Sequence, residues 1–221
     1  MPALFPKAAR RAVPATVVRA GLPPSHDRRS GVGIVSADDT REYLDVTLGA
    51  TEGWLCAGGG APYLTAAGSI KHKDFTPRFF IWPGQAHAAE QWLTETAQTR
   101  DVWVCPYVMR TAVRRAGDAV VRVQIHTDID HGSLEAEKVR QLGGFAVASG
   151  RPGNGHVYVR LTETVPVEWH TALCRGLGDH FGGGEKINDN DLLRPPGTFN
   201  HKIPLLTPGA DPAPVEWLVK P

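Results

Sequence analysis

The sequence predicts an α/β fold of the mixed α+β kind. Short β-rich runs alternate with helical stretches through its second half. Gly, Pro and Ser stand at the ends of those stretches, where capping and turn chemistry needs them. At 221 residues the chain is long enough for one sizeable domain, or for a core domain with a smaller module packed on it.

Residues 1–30, rich in Pro, Arg and Ala, read as an N-terminal arm before a domain spanning 31–221. A helix is predicted from Asp38 to Leu48, with Tyr43, Leu44 and Leu48 on one side. The stretch from Trp54 ends at Gly58-Gly59-Gly60, predicted as a loop. Arg78–Trp82 reads as a buried strand closed by Pro83-Gly84, Ala86–Gln98 as a helix and Val102–Cys105 as a strand. Val120–Asp130 is a long β-rich run. Ser133 is placed to cap a helix that ends at Gly143-Gly144. Strands follow at Phe145–Ala148 and His156–Leu161, and Pro166 opens another helix. Leu192–Arg194 reads as a last core strand, and Val215–Val219 as a short one. The tryptophans, notably Trp82, Trp92, Trp103 and Trp169, fall in apolar segments and are expected in the core.

A formal net charge of +1 does not advertise nucleic-acid binding, which must come from local patches. Two small ones stand out: Arg110, Arg114 and Arg115, and Lys71-His72-Lys73. Cys56, Cys105 and Cys174 are widely spaced with no CxxC or CxxH pair, so no zinc site is expected. Sparse thiols and the lack of any membrane-length apolar run fit a cytoplasmic protein with no membrane partner. No P-loop and no H-x-H pair occurs, which excludes helicase and relaxase chemistry for this chain.

Three motifs carry chemistry. In His126-Thr127-Asp128-Ile129-Asp130, strand alternation puts Asp128 and Asp130 on one face, about 6.5 Å apart at Cα. Two carboxylates at that spacing can share a pair of divalent ions; a pair of solvated acids is the ordinary alternative. In Ser149-Gly150-Arg151-Pro152-Gly153-Asn154-Gly155-His156, glycines let backbone amides approach phosphate oxygens, with donors from Ser149, Arg151 and His156. An ordinary Gly-rich hairpin turn would look the same. The third runs from Asp189-Asn190-Asp191 through Arg194 and a Pro-Gly turn to Thr198, Asn200 and Lys202, groups suited to phosphate, sugar or template backbone.

In this order and rough spacing the three motifs resemble the archaeo-eukaryotic primase superfamily, specifically the primase-polymerase domains of phage and plasmid replication proteins. The likeness covers about residues 119–202. It implies a catalytic core with an RRM-like sheet (116–205) and an N-terminal α/β module (31–115). It also implies a nucleotidyltransferase that uses two Mg²⁺ or Mn²⁺ ions to add dNTPs or NTPs to a 3′-hydroxyl on a single-stranded DNA template, with a helicase domain or protein as a partner. Asp128 and Asp130 would hold the metals with a third acid, for which Asp189 and Asp191 both qualify. His156 would contact the triphosphate, helped by Ser149, Gly150, Arg151, Gly153, Gly155, Arg194, Thr198, Asn200 and Lys202. The loop carries two more residues than a minimal S-G-x-G-x-H. His126 reads as a supporting residue. The rival readings are a catalytically silent single-stranded DNA-binding initiator module and a metal-dependent phosphodiesterase.

Overall fold

The computed structural model describes residues 36–130, 134–184 and 186–221. The predicted arm and the capping role of Ser133 lie outside the described residues. The elements run α1 (Ala37–Leu48), β1 (Gly53–Leu64), β2 (Ile70–Trp82), α2 (Ala86–Ala97), β3 (Asp101–Met109), β4 (Gln124–Ile129), α3 (Ala136–Gln141), β5 (Phe145–Ala148), β6 (Gly155–Arg160), α4 (Val167–His180), β7 (Thr198–Asn200), α5 (Ile203–Leu206) and β8 (Ala213–Val219).

They form two antiparallel sheets, one ordered β2-β1-β3 and the other β4-β6-β5-β8-β7. In the second, β4-α3-β5 is a split β-α-β unit with β6 inserted between its strands. α1 begins at Ser36, whose hydroxyl accepts from the Asp39 amide. Its apolar stripe, Tyr43, Leu44 and Leu48, enters the main core with Leu55, Trp82, Leu93, Val104, Phe145 and Tyr158, so both sheets share that core. The opposite face of the second sheet carries Ile125, Ile129 and Val157 into a second cluster, with Val139 of α3 and Cys174 and Leu177 of α4.

Three sequence expectations change. The triple glycine is a buried stretch of β1. A Cβ on Gly58 would come within 2.6 Å of the Phe75 ring, and one on Gly59 within 3.0 Å of Thr96. The glycines therefore make room for β2 and α2 rather than turn the chain. Leu192–Arg194 is not a strand; Leu193 alone bridges to Val104 of β3. Trp169 is 67% exposed, because α4 buries the face of His170, Cys174 and Leu177 and Trp169 points away from it. Among the described residues no helix is long and apolar enough to cross a membrane.

Candidate active site

β4 and β6 pair antiparallel, which sets Asp128 opposite His156 and His126 opposite Tyr158. Alternation sends all four side chains to the face that looks toward the first sheet. Asp128 Oδ1 lies 3.4 Å from His156 Nε2. Asp130 follows the last residue of β4 and is exposed.

Two opposed shifts mark this pair. Burial, then the nearby Asp130 charge, pushes the Asp128 carboxyl up to about 6, against the pull of Lys186, Arg194 and Lys202. Burial, then Arg194, Lys186 and His126, holds His156 down at about 3. Burial thus favours the neutral form of His156. Its Nδ1 is buried with no hydrogen-bond partner among the described residues. The Nε of Arg194 is in the same condition.

Arg194 is anchored rather than free. It donates to Asp101 Oδ2 at 3.0 Å, and its guanidinium sits 5.2 Å from the Trp103 ring centroid. Asp101, at the start of β3, also accepts from the His201 amide at 2.7 Å and lies 2.7 Å from His72 Nε2. Burial alone would raise its carboxyl, but His72, Arg194 and the His201 amide outweigh that and lower it. Lys202 is half-buried, its ammonium lowered by burial and then by Arg194. Asp101 and Lys186 were not legible as site residues. Asp101 stands 93 positions from Arg194, with no motif linking them.

The Gly-rich segment is the loop between β5 and β6. It closes on itself through Ser149 N–H to Asn154 O and Asn154 N–H to Arg151 O. Gly155 is required by packing: a Cβ there would fall 2.2 Å from the Val147 carbonyl oxygen. Gly150 and Gly153 adopt positive φ, and Arg151 is exposed. Asn200 and Thr198 are buried, with their side chains committed inside the protein. Asn200 Nδ2 donates to the Ser149 carbonyl at 2.7 Å, and the Thr198 hydroxyl donates to Pro195 O at 2.7 Å. They brace the loop and the turn.

The two candidate third acids part company, because the segment is a turn rather than a strand. Asp189 is fully buried and accepts from Arg122 Nε at 2.7 Å and from the Gly117 amide at 2.7 Å. Asp191 is half-buried and has different neighbours. Its Oδ2 accepts from the Asn188 amide at 2.8 Å and lies 3.6 Å from His126 Nε2. Burial alone would raise Asp191, but His126, the Asn188 amide and Lys186 outweigh it and lower the carboxyl.

One residue of each basic patch is tied in. His72 holds Asp101, and Arg114 donates to the Asn190 carbonyl at 2.9 Å. Where the sequence showed no zinc spacing, the fold brings His126, His170 and Cys174 together, with ligand atoms within 4.8 Å of one another.

Two sheets sharing a core, with the D-x-D strand beside the histidine strand, make a mixed α+β fold. The crystal structure of the primase RepB' matches it with a TM-score of 0.56 at 15% identity, over 82% of this chain. The chain spans 56% of that structure's length. The catalytic domain of RepB' in complex with initiator DNA gives 0.48 at 16% identity, covering 75% of this chain and 80% of that one. The AEP domain of the cyanophage S-2L primase-polymerase gives 0.48 at 14%, covering 76% and 81%. No family model matches the chain, and no curated protein matches it in sequence.

Proposed function

We propose that this chain is a DNA primase-polymerase domain that transfers nucleotides from dNTPs or NTPs to a 3′-hydroxyl on a single-stranded DNA template. The observation that carries this reading is the half-buried Asp128 carboxylate, raised to about 6 by desolvation and then by Asp130, facing a neutral His156 beside Arg194, Lys186 and Lys202. A carboxylate kept that uncomfortable is relieved by a cation, and the cationic side chains beside it suit a polyphosphate.

The donors are hard carboxylate oxygens, which fit Mg²⁺ or Mn²⁺. Asp128, Asp130 and Asp191 would hold two such ions, which when bound lower the pKa of the attacking hydroxyl and offset charge on the leaving pyrophosphate. Arg194, fixed by Asp101, adds fixed positive charge beside the polyphosphate, and its buried Nε–H has no partner among the described residues. His156 donates as a neutral imidazole. Lys186 and Lys202 add charge, and Ser149, Gly150, Arg151, Gly153 and Gly155 shape the loop beside it. Thr198 and Asn200 act by bracing. Rate enhancement comes from positioning and fixed charge.

Incubating the protein with a primed template, labelled dNTPs and Mn²⁺ or Mg²⁺ tests the reading. Template-dependent extension is expected. Template binding without extension would favour a silent initiator module, and strand cleavage would favour a phosphodiesterase.

Two further outcomes follow. His156→Ala will weaken dNTP binding about 10–100-fold, the scale of a hydrogen bond to a charged group. Calorimetry should find its Mn²⁺ affinity without nucleotide unchanged. Template affinity will fall at least about tenfold between 50 and 200 mM salt, because phosphates rather than bases are gripped. A fluorescence-anisotropy titration showing no salt dependence would contradict this.

A further inference from the structure

Beside Asp128, between β3, β4 and α4, lies a buried row of polar side chains that the transfer chemistry leaves unused. Tyr107, His126 and His170 are 3%, 0% and 0% exposed. The Tyr107 hydroxyl stands 2.8 Å from His126 Nδ1 and 2.7 Å from His170 Nε2. The far nitrogen of His126, Nε2, is buried, without a hydrogen-bond partner among the described residues, and 3.6 Å from Asp191 Oδ2.

Chemistry gives this row a direction. An ionised carboxylate only accepts, so a ring nitrogen facing Asp191 is favoured with its hydrogen on and repelled with its lone pair exposed. A neutral imidazole carries one N–H, so Nε2–H on His126 makes Nδ1 an acceptor. Tyr107 then donates to Nδ1, and its oxygen accepts from His170 Nε2–H. The competing arrangement spends the Tyr107 hydrogen on the Gln124 carbonyl, 3.1 Å away. That choice puts a hydrogen on His126 Nδ1 and turns a lone pair on Asp191.

We propose that His126 is a positioning residue for Asp191, locked by Tyr107 and His170 in the Nε2–H tautomer. This rests on the reading of Asp191 as the third acid. Oδ2 then accepts from the Asn188 amide and faces the His126 N–H across 3.6 Å, which leaves Oδ1 for the cation. His126, His170 and Cys174 could instead hold a zinc ion, but the Tyr107 hydroxyl already occupies hydrogen-bonding distance from both rings.

The test begins with two-bond proton–nitrogen NMR of the metal-free, ¹⁵N-labelled protein, which reads the His126 tautomer directly. Nε2–H is expected; Nδ1–H overturns the proposal. Calorimetric titration of Mn²⁺ without nucleotide follows. Tyr107→Phe and His126→Phe should each lose about 10–100-fold in affinity, as removal of an outer-shell partner does. His126→Gln, which keeps an N–H near the place of Nε2, should stay within about threefold of wild type on the same scale. Binding that Asp128→Asn abolishes but folded His126→Phe leaves unchanged would overturn the positioning role alone. A wild type that binds no Mn²⁺ would overturn the metal reading and this inference with it. Stoichiometric zinc in the purified protein would assign these side chains to a zinc site instead. Should His126→Phe fail to fold, the tautomers of wild type and Tyr107→Phe decide; Tyr107→Phe is expected to lose the pure Nε2–H form.

Discussion

Asp128→Asn will polymerise nothing, yet in EDTA at pH 7.5 it will melt above the wild type. The loss of activity follows from removing the half-buried carboxylate on which the proposed metals depend. The gain in stability follows from linkage. Burial, then Asp130, raises Asp128 to about 6, so its ionised form is costly in the folded protein. Between the unfolded value near 4 and the folded value near 6, the native state binds more protons than the unfolded state. This group therefore adds stability as pH falls through 6, and its full cost is present above 6. At about 1.4 kcal/mol per pKa unit that cost is about 1–3 kcal/mol. The amide should recover it, worth about 2–4 °C per kcal/mol for a chain of this size. The buried histidines act with the opposite sign. His156, held at about 3, and His170, held at about 4, are protonated first in the unfolded chain, so stability falls as pH drops below their unfolded value. Melting curves from pH 8 to pH 4 should thus show the mutant's advantage largest above pH 6 and gone near pH 4. An advantage that grows toward acid would contradict the assignment.

Asp189→Ala will cost about 3–5 kcal/mol of stability, the usual result of stranding a buried charge. Arg122 is 7% exposed and its guanidinium is paired with Asp189, which also accepts from two backbone amides, Gly117 and Ala119. Removing the carboxylate leaves a buried cation and two N–H groups unmatched. Asp191→Ala should differ in kind. Its carboxylate is half-buried and, among the described residues, hydrogen-bonded only to the Asn188 amide, so urea unfolding should move little while Mn²⁺ binding and transfer are lost. Paired urea titrations separate the two acids. Equal destabilisation, or full activity in Asp191→Ala, would remove Asp191 as third acid.

What could be read in advance was whatever local periodicity or capping determines. α1, α2, α4, β6 and β8 fall close to where side-chain pattern and turn residues put them, because each buries one face. The placement of Asp128 opposite His156 comes from the register of β4 on β6, two strands that are not consecutive, and no local pattern gives it. The misses need partners distant in sequence. Gly58-Gly59-Gly60 looks like a loop until Phe75, Thr96 and Trp92 are packed on it. The choice between Asp189 and Asp191 turns on Arg122, which no spacing rule couples to either. Asp101 reads as an ordinary strand-start acid and becomes important only when the fold delivers Arg194, His72 and His201 to it. Tyr107 and His170 look like core residues and are; their polar atoms acquire meaning from His126 and Asp191.

The most direct test of the site is a crystal soaked with Mn²⁺ and a nonhydrolysable nucleoside triphosphate, with manganese located by anomalous scattering. Two peaks are predicted about 3.5–4 Å apart, bound by Asp128, Asp130 and Asp191, with the triphosphate against His156 and Arg194. Manganese absent from Asp128, or triphosphate bound away from His156 and Arg194, would contradict it.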